Sequence, residues 1–235
     1  MSVLPQLKRV GGLTLDFLFP KTCLGCGADG FLLCPTCQRR MRRVVPPICP
    51  RCGRPQASGV HCPSCVTWDS PLDGIRSPFR FEGLARKAVH ELKYRNLRVV
   101  SAPMAVLLYD YLERNPMPAD VLVPVPLHPK RLRERGYNQS ELLAKELAKL
   151  VQLPVAGNEL RRQRYTPPQA RTLSVEERRA NMKEAFVSTN ESLRERHVLL
   201  IDDVSTSATT LDACAGALKS AGAASVWGLV FAREI

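Results

Sequence analysis

Two groups of residues in this chain have the types and spacing that chemistry requires. The first is cysteine. Eight of the nine cysteines form four Cys-x-x-Cys pairs, Cys23/Cys26, Cys34/Cys37, Cys49/Cys52 and Cys62/Cys65. Two intervening residues let both sulfurs turn towards one ion, and Gly27 and Gly53, each directly after the second cysteine of its pair, suit the tight turn of a zinc knuckle whose N–H groups face the sulfurs. Four pairs make two tetrahedral four-thiolate zinc sites. Disulfides and iron–sulfur ligation are the alternatives. Disulfides fit poorly because no secretory leader is visible and cytosolic thiols stay reduced. Sequential sites would use residues 23–37 and 49–65, with spacers of seven and nine residues, whereas a cross-brace would interleave the pairs. Four complete pairs leave His61 no vacancy and no coordination position open, so the zincs are expected to be structural.

The second group is a pair of acids. Asp202 and Asp203 follow four apolar residues, Val198, Leu199, Leu200 and Ile201, and precede a hydroxyl-rich stretch, Ser205, Thr206, Ser207, Ala208, Thr209 and Thr210. A short unbroken apolar run predicts a strand buried on both faces at the centre of a parallel sheet, with the acids at its carboxyl end. The hydroxylated residues open a helix that continues through Leu211, Ala215 and Leu218 to Gly222. Free N–H groups and the helix dipole at that sheet edge favour an anion. Carboxylates repel an anion, so their presence makes sense if the ligand offers them hydroxyls and offers the loop a phosphate, as a ribose 5-phosphate does. The plainer reading is an acid pair beside a helix whose N-caps are the hydroxyls.

The elements that position these residues follow from patterning. Residues 3–19 have helical apolar spacing up to Pro20 and predict an amphipathic helix packed on the body. A link at 66–77, with Pro71 and Gly74, marks a domain boundary, giving an N-terminal helix and zinc-binding module over 1–66 and a second domain over 77–235. A short strand is expected at 78–82, helices at 84–97 and 102–112, and strands at 121–125, 184–187, 198–201 and 225–232. Strands alternating with helices predict an α/β fold with a parallel sheet and right-handed crossovers. Between them the loop 126–139 carries Lys130, Arg131, Arg133 and Arg135 directly after a strand end, at the edge where the acids lie. Cys214, on the helix after the acids, reads as a small buried residue.

The stretch 198–223 closely resembles the signature of type I phosphoribosyltransferases, enzymes that use 5-phosphoribosyl 1-pyrophosphate (PRPP). That resemblance assigns Asp202 and Asp203 to the ribose hydroxyls and residues 205–210 to the 5-phosphate, with Mg²⁺ entering alongside PRPP. The family usually has Gly where this chain has Ala208. Two further stretches, VPVPLHPKRLRERGYNQSELLAKELA and RRQRYTPPQARTLSVEERRANMKEAF, resemble the ComF family of competence-associated proteins, with its ComFC- and GntX-like members. Those proteins join a cysteine-rich zinc module to a phosphoribosyltransferase domain. The resemblance makes Lys130, Arg131, Arg133 and Arg135 the pyrophosphate-facing loop, and Arg164, Thr166, Gln169, Arg178 and Asn181 part of a loop that closes over the substrate. Arginine and lysine suit a leaving pyrophosphate because they neutralise charge as its bond to C1 breaks. Arg131, Arg135, Arg164 and Arg178 are thus the candidates for a catalytic role, and no base is named, although His128 is near the right loop. The alternative for 161–186 is a charged surface helix and loop.

Charge bears on partners. The net charge is +12, and residues 1–65 hold nine Lys/Arg against two acids. Two four-thiolate zincs, each a −2 unit, would offset part of that excess. Basic residues such as Arg39, Arg40, Arg42, Arg43, Arg51 and Arg54 favour a polyanion. The implied function is phosphoribosyl transfer with release of pyrophosphate, associated with DNA uptake. The other reading is a non-catalytic accessory that binds single-stranded DNA, works with other DNA-uptake proteins and uses the fold to sense PRPP. Few aromatics, 6% of residues, argue against a base-stacking ladder. With no apolar run long enough to span a bilayer, the expected location is cytoplasmic.

Overall fold

The computed structural model describes residues 21–57, 60–163, 185–188 and 191–235. Packing divides the chain into two compact units, Met1–Met41 and Arg42–Ile235. The second cysteine cluster therefore shares a unit with the sheet. The helix expected at 3–19 lies outside the described residues.

In the first unit, helix α1 (Pro35–Arg39) starts with Cys34 as its N-cap, whose sulfur accepts from the Cys37 N–H. In the second, the described elements are helix α2 (Pro63–Val66), strands β1 (Gly74–Arg76) and β2 (Phe79–Arg80), helices α3 (Gly83–Tyr94) and α4 (Ser101–Arg114), and strand β3 (Val121–Pro124). Then come α5 (Pro129–Arg135), α6 (Gln139–Val151), β4 (Leu160–Arg162), β5 (Phe186–Ser188), β6 (His197–Ser205), α7 (Thr209–Ser220) and β7 (Ser225–Arg233). The main sheet has the order β1-β7-β6-β3, with β2 also on β7, and every pairing in it is parallel.

The central strand is the predicted one. Val198, Leu199, Leu200 and Ile201 are all 0–1% exposed, which an apolar run tolerates because helices cover both faces. On one face Val198, Leu200, Val226 and Val230 share a core with Leu211, Ala215 and Leu218 of α7 and with the cysteines of the second cluster. Helix α6 packs on β3, β6 and α4, and the buried side chains Leu143, Ala144 and Leu147 fall at helical spacing. Cys214 is buried completely, as expected of a small core residue.

Two expectations are corrected. The strand expected at 184–187 does not join the parallel sheet. Residues 186–188 form β5, antiparallel to β4, in a separate two-stranded ribbon. Only Phe186 of β5 is buried, so this strand lacks the unbroken apolar run that marks a central position. The link at 66–77 is not a tether either. Trp68 and Leu72 are buried, and β1 is an edge strand of the main sheet. Gly74 had the look of chain punctuation, but it is glycine because the Trp227 ring lies where its Cβ would be.

Candidate functional site

Strand β6 carries both acids within it rather than past its end, because β7 stays paired alongside: Asp202 faces Val230, Val204 faces Ala232 and Ser205 faces Arg233. The acids are not free. Asp203 is 1% exposed and its Oδ2 lies 2.8 Å from Lys93 Nζ, brought by the last turn of α3. Asp202, 8% exposed, accepts from Ser140 Oγ at 2.7 Å and from the Asp203 N–H at 2.9 Å. Ser140 is positioned by Asn138, which caps α6 and donates to the Val125 carbonyl. Burial, and then the neighbouring Asp203, raise the Asp202 pKa to about 7. For Lys93 burial works against the charge, but Asp203 and Asp202 outweigh it and raise its pKa.

Beyond Ser205 the chain turns through Thr206, Ser207 and Ala208 into α7. Ala208 has φ 65° and ψ 0°, the left-handed conformation that a Cβ disfavours. It is 5% exposed. Ser207 and Thr209 share a hydroxyl hydrogen bond of 2.8 Å, and no side chain caps α7.

The basic stretch 126–139 is not a plain loop. Pro129 at the first helical position and Gly136 in the left-handed conformation bound the short helix α5. His128 caps it, Nδ1 accepting from the Lys130 N–H at 3.2 Å. Burial, then Arg162, Arg133, Lys130 and Arg131, push its pKa down, which keeps the ring neutral and able to accept. Arg131 and Arg135 line a cavity of about 550 Å³ together with Lys93, Tyr94, Asn96, Glu134 and Tyr137. Lys93 therefore joins the acids to the basic helix: it lines the cavity and pairs with Asp203. Lys130 and Arg133 lie on the same helix but do not line this cavity, and neither do residues 205–210. Arg164 and Arg178, with Thr166, Gln169 and Asn181, lie outside the described residues.

Three participants carried no signal in the sequence. Lys93 falls within the helix expected at 84–97 with nothing to single it out, Ser140 in the stretch after the basic loop, and Arg162, which acts electrostatically on Asp202 and Arg131 from β4, in the charged stretch 161–186. Each reaches the acids through packing of elements far apart in sequence. For Ser140 the motif GYNQSE, directly after the basic stretch, was the one available hint.

The cysteines form two sequential clusters, Cys23/Cys26/Cys34/Cys37 and Cys49/Cys52/Cys62/Cys65, each with its four sulfurs within 4.8 Å of one another. The interleaved pairing is thereby excluded. A tetrahedron of metal–sulfur bonds about 2.3 Å long has edges of about 3.8 Å. The Cys26–Cys34 and Cys52–Cys62 sulfur separations are both 3.7 Å, so zinc fits. Gly27 and Gly53 take the left-handed turn, φ 76° and 69°, but their N–H groups bond the Cys23 and Cys49 carbonyls. Among the N–H groups that face sulfur are those of Gly25, Cys34, Cys37 and Cys62. Burial alone would raise the Cys23 and Cys49 thiols, yet backbone N–H donors bring both down to about 6, whereas Cys37 is pushed up to about 12 by its hydrogen bonds to Cys26 and Cys34, and burial pushes Cys52 and Cys65 up.

Residues 14–66 match the double zinc ribbon domain, and residues 134–234 match the phosphoribosyl transferase domain. The chain is 32% identical over 208 residues to competence protein F of Haemophilus influenzae, covering 84% of this chain and 89% of that one. It is 28% identical over 210 residues to competence protein ComFC of Bacillus subtilis, covering 86% and 84%. It is also 30% identical over 200 residues to DNA utilization protein YhgH of Escherichia coli O157:H7, covering 83% and 87%. Among the described residues no helix is long and apolar enough to cross a membrane.

Proposed function

The chain belongs to the ComF family, that of competence protein F, and from that premise we propose that it binds PRPP with Mg²⁺ and transfers the phosphoribosyl group, releasing pyrophosphate. The observation that carries this reading is Lys93, which pairs with Asp203 while lining the same cavity as Arg131 and Arg135. One residue thus links the sugar-facing acids to cations suited to pyrophosphate.

In this reading Asp202 and Asp203 accept from the ribose hydroxyls. The N–H groups and hydroxyls of 205–210 take the 5-phosphate, and Lys130, Arg131, Arg133 and Arg135 take the pyrophosphate. Mg²⁺ bound with PRPP would supply charge that neutralises the phosphates beside Asp202 and Asp203. The C1–oxygen bond breaks with its electron pair leaving on pyrophosphate, a bond forms from C1 to the acceptor nucleophile, and the acceptor's proton passes to solvent. The basic cluster stabilises the departing charge. Zinc in both cysteine clusters is structural and supplies folding free energy.

A second reading keeps PRPP binding without turnover, in an accessory protein of DNA uptake. Ala208 in a left-handed turn favours it, because a Cβ strains a conformation that glycine adopts freely.

Calorimetry with Mg²⁺ and PRPP tests the site. Replacing both carboxylates, Asp202→Asn with Asp203→Asn, swaps charge-assisted bonds for neutral ones and should weaken binding about a hundredfold, at roughly 1.5–3 kcal/mol per bond. Ala208→Gly should tighten it. No binding by the wild type, or equal binding by the Asn pair, means that 205–210 is only a helix entry. Binding without pyrophosphate release for any base, nucleotide or single-stranded DNA acceptor selects the accessory reading.

A further inference from the structure

Arg233, the last residue of β7, is 2% exposed and is the bulkiest of the fully buried side chains. Its Nε and Nη1 have no hydrogen-bond partner among the described residues. The groups that act on it are three cysteines of the second cluster, Cys52, Cys65 and Cys49, and a second arginine, Arg54. Arg54 has its own Nε buried without an acceptor, while its Nη2 donates to the Thr206 carbonyl at 3.3 Å. Thr206 follows Ser205, which is in register with Arg233 and whose hydroxyl is also buried without a partner. Two arginines thus meet in one corner between the second cluster and the start of the 205–208 loop. Arg76 feels the same thiolates, but its guanidinium is served by the Pro50 and Ile75 carbonyls and lies over the Trp227 ring.

A guanidinium as buried as that of Arg233 needs an anion, and the half-buried Arg54 adds a second positive charge at the same corner. Neutral thiols supply none. Four thiolates around one Zn²⁺ carry a net charge of −2, the anion available to Arg233 at this corner. We propose that Arg233, with Arg54, is the built-in counter-charge of the second zinc site, and that zinc there holds the backbone at Ser205 and Thr206, the entry to the candidate phosphate loop.

The test uses the full chain and two readouts, release of zinc to a chelator and hydrogen exchange of the 204–210 backbone. Arg233→Met keeps apolar length and removes the charge. One of two zincs should then leave about ten- to a hundredfold sooner, the usual effect of removing a supporting partner. The other zinc should keep its wild-type rate, and exchange over 204–210 should quicken. Arg233→Lys, which retains the charge, should lose less. If Arg233→Met does not fold, Arg233→Lys and Arg54→Met are scored by the same readouts. The proposal is overturned if both zincs leave at wild-type rates, if the wild type holds no metal in this cluster, or if zinc removal leaves 204–210 unchanged. It is also overturned if the arginine variants weaken binding of inorganic pyrophosphate while zinc is untouched, which would make the arginines ligands of the anion. The zinc and exchange readouts do not involve PRPP, so this proposal and the proposed function can fail separately.

Discussion

Asp202 is protonated more readily in the folded chain than in solution, and the sign of that shift has a stability consequence. Between the ordinary carboxyl value and about 7, the native state holds a proton that the unfolded state has released. Stability therefore falls as pH rises through that window, by at most about 1.4 kcal/mol per pH unit for one proton. Asp202→Asn removes the titration and keeps an oxygen for Ser140 and for the Asp203 N–H. The variant's advantage over the wild type should grow from pH 4 to pH 7 and then level off. Urea unfolding at pH 5, 6, 7 and 8 checks this, and a difference that is flat with pH contradicts it. The acid pair itself was legible in the sequence because it is contiguous with its strand. Its partners were not. Ser140 stands 62 residues before Asp202, and Lys93 is chosen from several similar cations by where α3 ends against the sheet.

At the scale of elements, the second cysteine cluster is stitched to the sheet edge. The Ile75 N–H donates to the Arg51 carbonyl at 2.7 Å, and Arg76 Nη1 donates to the Pro50 carbonyl at 2.8 Å. Arg51 Nη1 in turn reaches the Trp68 carbonyl. The knuckle residue Gly53 has φ 69°, and a Cβ there would overlap the Ile75 carbonyl oxygen. Gly53→Ala should therefore lower stability by roughly 2 kcal/mol or more, combining left-handed strain with a clash against backbone. Gly27→Ala, at φ 76° with nothing within 4 Å of its Cβ, should lose only the strain part, about 1 kcal/mol. Chemical unfolding of the two variants compares them, and equal losses would mean that the knuckle does not bear on β1. Four Cys-x-x-Cys pairs announce metal sites through local spacing. That one of them leans on β1 depends on a contact between Gly53 and Ile75 that no local pattern encodes, which is why residues 66–77 read as a link. The pairing of β4 with β5 was hidden for a related reason: a strand was expected at 184–187, but its three-residue partner at 160–162 leaves no periodicity to detect.

Over the whole molecule the net charge is +12, and the excess lies away from the acid-bearing strand: residues 197–235 hold two Lys/Arg against four acids. Four arginines adjacent in sequence, Arg39, Arg40, Arg42 and Arg43, are exposed. Arg42 has only a loose ion pair to Glu82 at 3.6 Å, with the arginine side chain 73% exposed, and Arg43 lies over the Phe79 ring. An exposed pair of that kind contributes little to stability, so removing the charge should leave the fold intact. Single-stranded DNA should bind in a salt-dependent way, with log affinity falling by about 0.7 per contacted phosphate for each unit of log salt. Changing all four arginines to glutamine should make that slope shallower and weaken binding at low salt, while calorimetric PRPP affinity stays as in the wild type. Fluorescence anisotropy over a salt series separates the outcomes. No binding at low salt, or an unchanged slope in the glutamine variant, would mean that these arginines form only a hydrated face. In that case the DNA-related part of the function would have to act through other residues or through partner proteins.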